Sequence, residues 1–377
     1  MADSPLIPVA APFFSHRELE LITEVVESGW ISSVGPMIGT FENEFAAHIG
    51  VARAETVANG TVALQVVLHA IGLGAGDEVI VPSQTFVATA AAVKYCNATP
   101  VFADISEGTW TLDPVDVVAK LTSRTKVVIP VDLFGLCADI PGLRAALARA
   151  GRSDVFILED AAEAFGSSLD GVSAGVLGDA GVFSFYGNKT ITTGEGGMVV
   201  TNDPALAERV NFLKNHGMSA EKRYYHPELG FNFRMTSLQA AIGLAQLRNG
   251  EELVRRKRHI HARYRAGLQQ LRGLQLQMVP AGHRHVPWLT AVVDDALTTE
   301  AARDALIVRL RARGVDSRPL FYPNHLMPAF VHEPKVGSLP VTERISFRGL
   351  CLPSGAGLSD GEVERCIDAY IAERPAS

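Results

Sequence analysis

Lys189 stands inside VFSFYGNKTITTGEGGMVVTND (Val182–Asp203), a polar, glycine-dense turn between two apolar strand-like runs. A lysine in such a turn has three ordinary uses. It can be a solvated charge, a point charge for a phosphate, or an amine that forms a Schiff base with a carbonyl. For a lysine taken alone the solvated charge is the commonest, but three other positions weigh against it here.

Asp160 ends the apolar run VFILED, 29 residues before Lys189. The carboxyl end of a parallel strand is where α/β proteins place ligands. A buried carboxylate there needs a cation, because burying it unpaired is costly. The protonated pyridine nitrogen of pyridoxal phosphate is one such cation, and holding that proton makes the ring a better electron sink. The plainer alternative is that Asp160 caps a helix starting at Ala161. NGTVAL (Asn59–Leu64) has Gly60 and Thr61 opening a helix, where backbone N–H groups and the Thr61 hydroxyl can bind a phosphate. Ser184 can add a second hydroxyl, and a simple N-cap is the alternative. Phe86, after VIVPSQT, can stack on a flat ring or merely fill a core.

The elements that position these residues alternate. Helical spacing covers Asn59–Gly74, Thr85–Asn97 and Ile140–Ala150; apolar strand patterns cover Asp77–Ser83, Thr99–Ile105, Thr125–Gly135 and Val155–Gly166. Strands apolar throughout, alternating with helices, predict an α/β fold with a parallel sheet covered on both faces. From Ser237 to Leu271 the pattern turns helical and Arg-rich, reading as two helices. A strand near Trp288–Val293 and helices at Thr299–Arg313 and Asp360–Ala372 follow, an α+β segment. The divide is expected near residue 250: a large domain over 1–250, including the N-terminal segment, and a small C-terminal domain over 251–377.

Composition narrows the function classes. The 377 residues are 47% hydrophobic and 20% charged, with a formal charge of −7, which gives no support for nucleic-acid or anionic-membrane binding. The N-terminus lacks the basic and apolar regions of a signal peptide, and no apolar run approaches the ~20 residues that span a bilayer. Cys96, Cys137, Cys351 and Cys366 are far apart in apolar contexts, which reads as reduced thiols in a cytoplasmic protein with no metal site.

In their order along the chain these motifs resemble the DegT/DnrJ/EryC1/StrS family of pyridoxal-phosphate-dependent sugar aminotransferases. The resemblance runs from SGWISSVGPMIGTFENEFAAHIG (Ser28–Gly50) through NGTVALQ, GDEVIVPSQTFVATAAAVKY, ILEDAAEAFGS and the Lys189 turn to LGFNFRMTSLQAAIGLAQL (Leu229–Leu247). It implies the type I aminotransferase fold, like that of aspartate aminotransferase, with a large mostly parallel sheet domain and a smaller α+β domain. It implies that Lys189 is the Schiff-base lysine, Asp160 the pyridine partner and Phe86 the stacking ring. Gly60, Thr61 and Ser184 match phosphate-binding positions. Asn232 matches an asparagine that reaches the phosphate from a neighbouring subunit, which implies a homodimer with shared active sites.

Two positions depart from the common pattern. Many members have Gln where this chain has Glu163, expected near the ring's phenolic oxygen; carboxylate and phenolate repel, so one of them carries a proton. Many have His where this chain has Tyr186. Glu163, SFYGNKTITTGEGGM and SRPLFYP (Ser317–Pro323) resemble the branch that aminates GDP-4-keto-6-deoxy-D-mannose, whereas HVPWLTAVV (His285–Val293) fits that branch less well. The implied reaction transfers an amino group from glutamate, through the pyridoxamine phosphate form, to the ketosugar nucleotide. Arg318, Arg234, Lys214 and His325 are candidate cations for its diphosphate, each equally able to be a surface charge or salt-bridge partner; Tyr186 and Tyr322 are further candidate substrate contacts. A different ketosugar nucleotide or a keto-cyclitol would leave this reading of the fold intact. Lys189 argues against the dehydratases of the family, which have His there. A purely binding protein has no need of Lys189, Asp160 and the phosphate turn together.

Overall fold

Seven short strands form the main sheet, in the spatial order Arg53–Val57, Gly197–Thr201, Ala180–Ser184, Phe156–Asp160, Thr125–Val128, Glu78–Pro82, Thr99–Ala103. The computed structural model describes residues 5–334 and 337–375. Strands such as EVIVP and FILED are buried almost throughout because helices cover both sides. Five of the strands, from Ala180–Ser184 to Thr99–Ala103, pair in parallel. Gly197–Thr201 runs antiparallel to both of its neighbours. The strand patterns after Thr125 and Val155 stop earlier than their apolar runs suggest. The first ends at Val128, ahead of Pro130 and a 3₁₀ turn at Leu133–Gly135; the second ends at Asp160.

This order decides what meets at the carboxyl edge. The reversal at Gly197–Thr201 makes Arg53–Val57 point the same way as Ala180–Ser184, and Gly197 pairs with both Val57 and Ser184. The helix Gly60–Ala70, which leaves the end of Arg53–Val57, therefore starts beside Ser184. Asn59 caps it, its side chain accepting from Val62 N at 3.0 Å. Phe41, Phe45, Phe183 and Phe185, all buried, form an edge-packed cluster under the Lys189 turn.

The expected long helical stretch is two helices, Ser237–Arg248 and Gly250–Leu268, the first opened by a Thr236/Gln239 capping box. Beyond it lies a four-stranded antiparallel sheet, ordered Leu274–Leu276, Thr290–Asp294, Gly349–Leu352, Arg318–Pro319. Its own core includes Ile260, Tyr264, Leu268, Val292, Leu306 and Tyr370. Ile7 packs in that core and bridges to Val315, so the N-terminal segment crosses to the C-terminal part of the molecule. The four cysteines are buried free thiols. Among the described residues, no helix is long and apolar enough to cross a membrane, and no His, Cys, Asp and Glu side chains cluster as a metal site.

Candidate active site

The turn carrying Lys189 is built by its own hydroxyls. Thr192 Oγ1 donates to Phe185 O at 3.0 Å and accepts from Gly194 N at 2.9 Å, while Thr193 Oγ1 donates to Glu195 O at 2.6 Å. Gly194 takes φ +82°, a left-handed conformation that glycine adopts without a Cβ penalty. Thr192 and Thr193 thus close the turn and do not line a ligand space. They leave the Lys189 side chain only 13% exposed. Its Nζ lies 3.5 Å from Glu163 Oε1 and 3.9 Å from the centre of the Trp288 ring.

Glu163 is clamped from behind: its Oε2 accepts from the backbone N–H of Phe134 at 2.8 Å. Phe134 supplies that N–H from a turn in which it holds φ +54°, uncommon for a bulky residue. Burial pushes the Glu163 carboxyl up from its ordinary range, and the Lys189 charge opposes this. Asp160 is 4% exposed. Its Oδ2 accepts from Thr89 Oγ1 at 2.8 Å and its Oδ1 from Ala162 N at 3.2 Å. Burial raises its carboxyl too, against the Thr89 and Ala162 hydrogen bonds and the Lys189 charge. No helix begins at Ala161, so the capping alternative for Asp160 is overturned.

The helix terminus at Gly60 is shaped by close approach. A Cβ on Gly60 would fall 2.9 Å from Ser184 Cβ, and one on Gly197 would fall 2.7 Å from the Asn59 carbonyl carbon. The N–H groups of Gly60 and Thr61, in the first helical turn, have no intrahelical acceptor. Phe86 is 55% exposed and lies in the turn before its helix, which starts at Ala88; its ring touches Phe321, with centroids 5.9 Å apart.

These features fit pyridoxal phosphate. The buried Asp160 carboxylate suits a protonated pyridine nitrogen, the Gly60–Ser184 cradle suits a phosphate, and an exposed aromatic face and a largely buried amine complete the set.

The other expected contacts divide. Lys214 is not available to a substrate: it is buried and donates to Glu55 at 2.8 Å, Glu42 at 3.3 Å and Thr56 O at 3.0 Å. His325 is half-buried, its ring held between Ser83 Oγ at 2.6 Å and Glu343 at 3.4 Å. Arg234 donates to three uncharged partners, Asn215, Asn232 and His216. Asn232, Arg318, Tyr186 and Tyr322 are exposed on the single chain, Tyr322 meeting Phe347 edge-on. Sequence reasoning missed Thr89 and Trp288. A polar residue four positions after Thr85 on an otherwise apolar helix was a signal for the first; for the second the only signal was the unusual segment HVPWLTAVV.

Comparison with known proteins agrees with this geometry. The model of the DegT/DnrJ/EryC1/StrS aminotransferase family matches residues 13–370. The chain is 43% identical to the GDP-perosamine synthase of Caulobacter vibrioides, with 98% of each chain covered. It is 40% identical to that of Vibrio cholerae, over 97% of this chain and 99% of the other. The pyridoxal phosphate form of a sugar aminotransferase from Streptococcus pneumoniae superposes with a TM-score of 0.92 at 25% identity, over 98% of both chains. A lysine poised beside a buried carboxylate on this fold, matched over almost its whole length, places the chain in the DegT/DnrJ/EryC1/StrS family as a pyridoxal-phosphate-dependent aminotransferase.

Proposed function

We propose that the enzyme moves an amino group from glutamate to GDP-4-keto-6-deoxy-D-mannose, giving GDP-perosamine. The observation that carries the transfer chemistry is the Lys189 amine, held 3.5 Å from the buried Glu163 carboxylate. The acceptor is supported by full-length similarity to proteins named GDP-perosamine synthase.

Pyridoxal phosphate, when bound, supplies a ring that takes up the electron pair released at the donor's Cα. Gly60, Thr61 and Ser184 would hold its phosphate, and Phe86 would lie against its ring. Asp160 would keep the pyridine nitrogen protonated, and Thr89 orients the Asp160 carboxylate. Glu163 would hold the proton it shares with the phenolic oxygen, a task suited to a carboxyl that burial has raised. Lys189 is the amine that would hold the cofactor between turnovers. Once freed, its Nζ would take the proton from the donor's Cα as general base and, as the conjugate acid, deliver it to the cofactor's C4′ and not back to Cα. The low exposure of the Lys189 side chain limits the access of water that would compete for that proton.

Asn232 completes the phosphate site of a second copy in a homodimer, which its exposure on the single chain permits. Arg234, free of carboxylate partners among the described residues, and Arg318 meet the substrate diphosphate, with Tyr186 and Tyr322 at its rim. We place the domain divide near residue 250, with a large domain over 1–250 and a small one over 251–377, close to the junction of the helices Ser237–Arg248 and Gly250–Leu268.

The test offers purified enzyme pyridoxal phosphate, glutamate and a panel of ketosugar nucleotides linked to GDP, UDP and dTDP, with products identified by mass. Amination of the GDP-linked 4-keto sugar is expected. Turnover confined to UDP- or dTDP-linked sugars would overturn the acceptor, and a fully active Lys189→Ala enzyme would overturn the mechanism.

A further inference from the structure

Behind the lysine turn lies a buried cation that the reaction above does not use. Lys257, on the helix Gly250–Leu268, is buried, and its Nζ donates to two backbone carbonyls, Trp288 O and, at 2.7 Å, Ser354 O. Neither partner is a carboxylate. Burial, and then the charge of Lys189, pull its pKa down to about 7. The amine keeps two N–H groups after losing its proton, one for each carbonyl, so the anchor does not depend on charge.

Trp288 connects this anchor to the lysine turn. Its backbone is held at both ends, N–H by Phe134 O at 3.1 Å and C=O by Lys257. Its ring lies nearly parallel to Phe134 and Phe321, at interplanar angles of 10° and 14°. From that fixed position the indole Nε1–H donates to Asn188 O at 2.8 Å, the carbonyl just before Lys189. The face of the same indole lies 3.9 Å from Lys189 Nζ. One side chain thus holds both the backbone next to Lys189 and the head of its side chain. A buried indole needs only some acceptor for its N–H; here the acceptor is the peptide of the residue that must return to one place in every cycle.

We propose that Trp288 is a positioning residue for Lys189, and that Lys257 acts through Trp288 by bracing it from the opposite side. In the cofactor-free enzyme the indole face is the resting place of the Lys189 ammonium, by attraction of a cation to the ring quadrupole. This rests on the reading of Lys189 as the reacting amine.

The test follows hydrogen exchange in the cofactor-free full-length protein at the amides that close the turn, Lys189, Thr193 and Gly194. Trp288→Phe keeps an aromatic face and removes the N–H. It is expected to speed exchange in residues 186–194 by about tenfold, the effect of one lost hydrogen bond, and to leave the strands Phe156–Asp160 and Gly197–Thr201 unchanged. Attachment of pyridoxal phosphate, trapped with borohydride, is expected to slow by a similar factor. Lys257→Met makes no new contact with the turn, yet is expected to reproduce the faster exchange. In the Trp288→Phe background it is expected to add nothing, because its effect passes through the indole. Wild-type exchange in either single variant, or additive effects in the double variant, would overturn the proposal. If Lys257→Met fails to fold, Trp288→Phe decides alone: a folded variant with unchanged exchange in the turn overturns the proposal. Peptide mapping of the borohydride-fixed cofactor separates the two readings. A mark on another lysine removes Lys189 from the chemistry, whereas a mark on Lys189 with unchanged turn exchange removes only the brace.

Discussion

Asp160 and Thr89 form the smallest unit of the site that can be tested alone. Asp160→Asn retains shape but cannot hold a pyridine nitrogen protonated. Turnover is expected to fall by about 10²–10³-fold, with weaker cofactor binding, as for loss of one preorganised electrostatic partner. Steady-state rates and cofactor titration check this; unchanged values would return Asp160 to a structural role. Thr89→Val removes the hydroxyl that donates to Asp160 Oδ2 at 2.8 Å without changing side-chain volume much. The buried carboxylate then keeps only the Ala162 N–H as a donor, and a loss of about 1–3 kcal/mol of stability is expected. Denaturation of the cofactor-free variant measures it. Because the pyridine proton gains a less encumbered carboxylate, turnover is expected to suffer far less than in Asp160→Asn.

Among the elements, the seam between the Leu133–Gly135 turn and the segment before the strand Thr290–Asp294 carries the most constraint. Gly135 holds φ +90°, and a Cβ there would lie 2.1 Å from Val286 O. Two neighbours of that seam, Phe134 and Trp288, hold Glu163 and Asn188 respectively. Gly135→Ala must therefore shift backbone in both parts of the molecule. A destabilisation above about 2 kcal/mol is expected, from left-handed strain and the clash together, with loss of the Glu163–Lys189 approach. A variant with wild-type melting temperature and wild-type cofactor uptake would show that the seam yields freely.

For the whole molecule, two predictions follow from groups that no single element explains. Lys257 is lowered from 10.5 to about 7 by burial. Below about pH 7 it is charged in folded and unfolded chains alike, and the fold carries the full cost of burying the charge. Between about pH 7 and 10.5 the unfolded chain holds a proton that the folded chain has shed, so this group's contribution to stability rises with pH. Lys257→Met is expected to flatten that rise; denaturation midpoints of both proteins from pH 6 to 9 test it, and parallel curves would refute it. The second prediction concerns assembly. If Asn232 serves the other chain's site, mixing Lys189→Ala with a disabled Asn232 variant gives mixed dimers in which one site has both defects and the other none. About a quarter of wild-type activity is expected after random exchange of subunits. No recovery after verified exchange, or full activity from a monomer, would count against the shared site.

Much of this protein was legible in its sequence because the informative features are local. Strand and helix alternation follows from hydrophobic period, and NGTVAL and GNKTITTGEGG carry their turn chemistry in adjacent residues. Asp160 and Lys189 were legible because strand ends and a polar turn mark their positions. What the sequence left open depends on which distant segments meet. The fate of each cation is an example: Lys214 reads like Arg234 in one dimension, yet folding places two glutamates against the first and only neutral groups against the second. The reversed strand Gly197–Thr201 is another, since strand direction depends on the sheet order and not on apolar content. Thr89, Trp288 and Lys257 gain their importance across separations of 71, 100 and 31 residues. Hydrogen bonds at such distances leave no periodic trace, so only the tertiary structure could decide what these three residues hold.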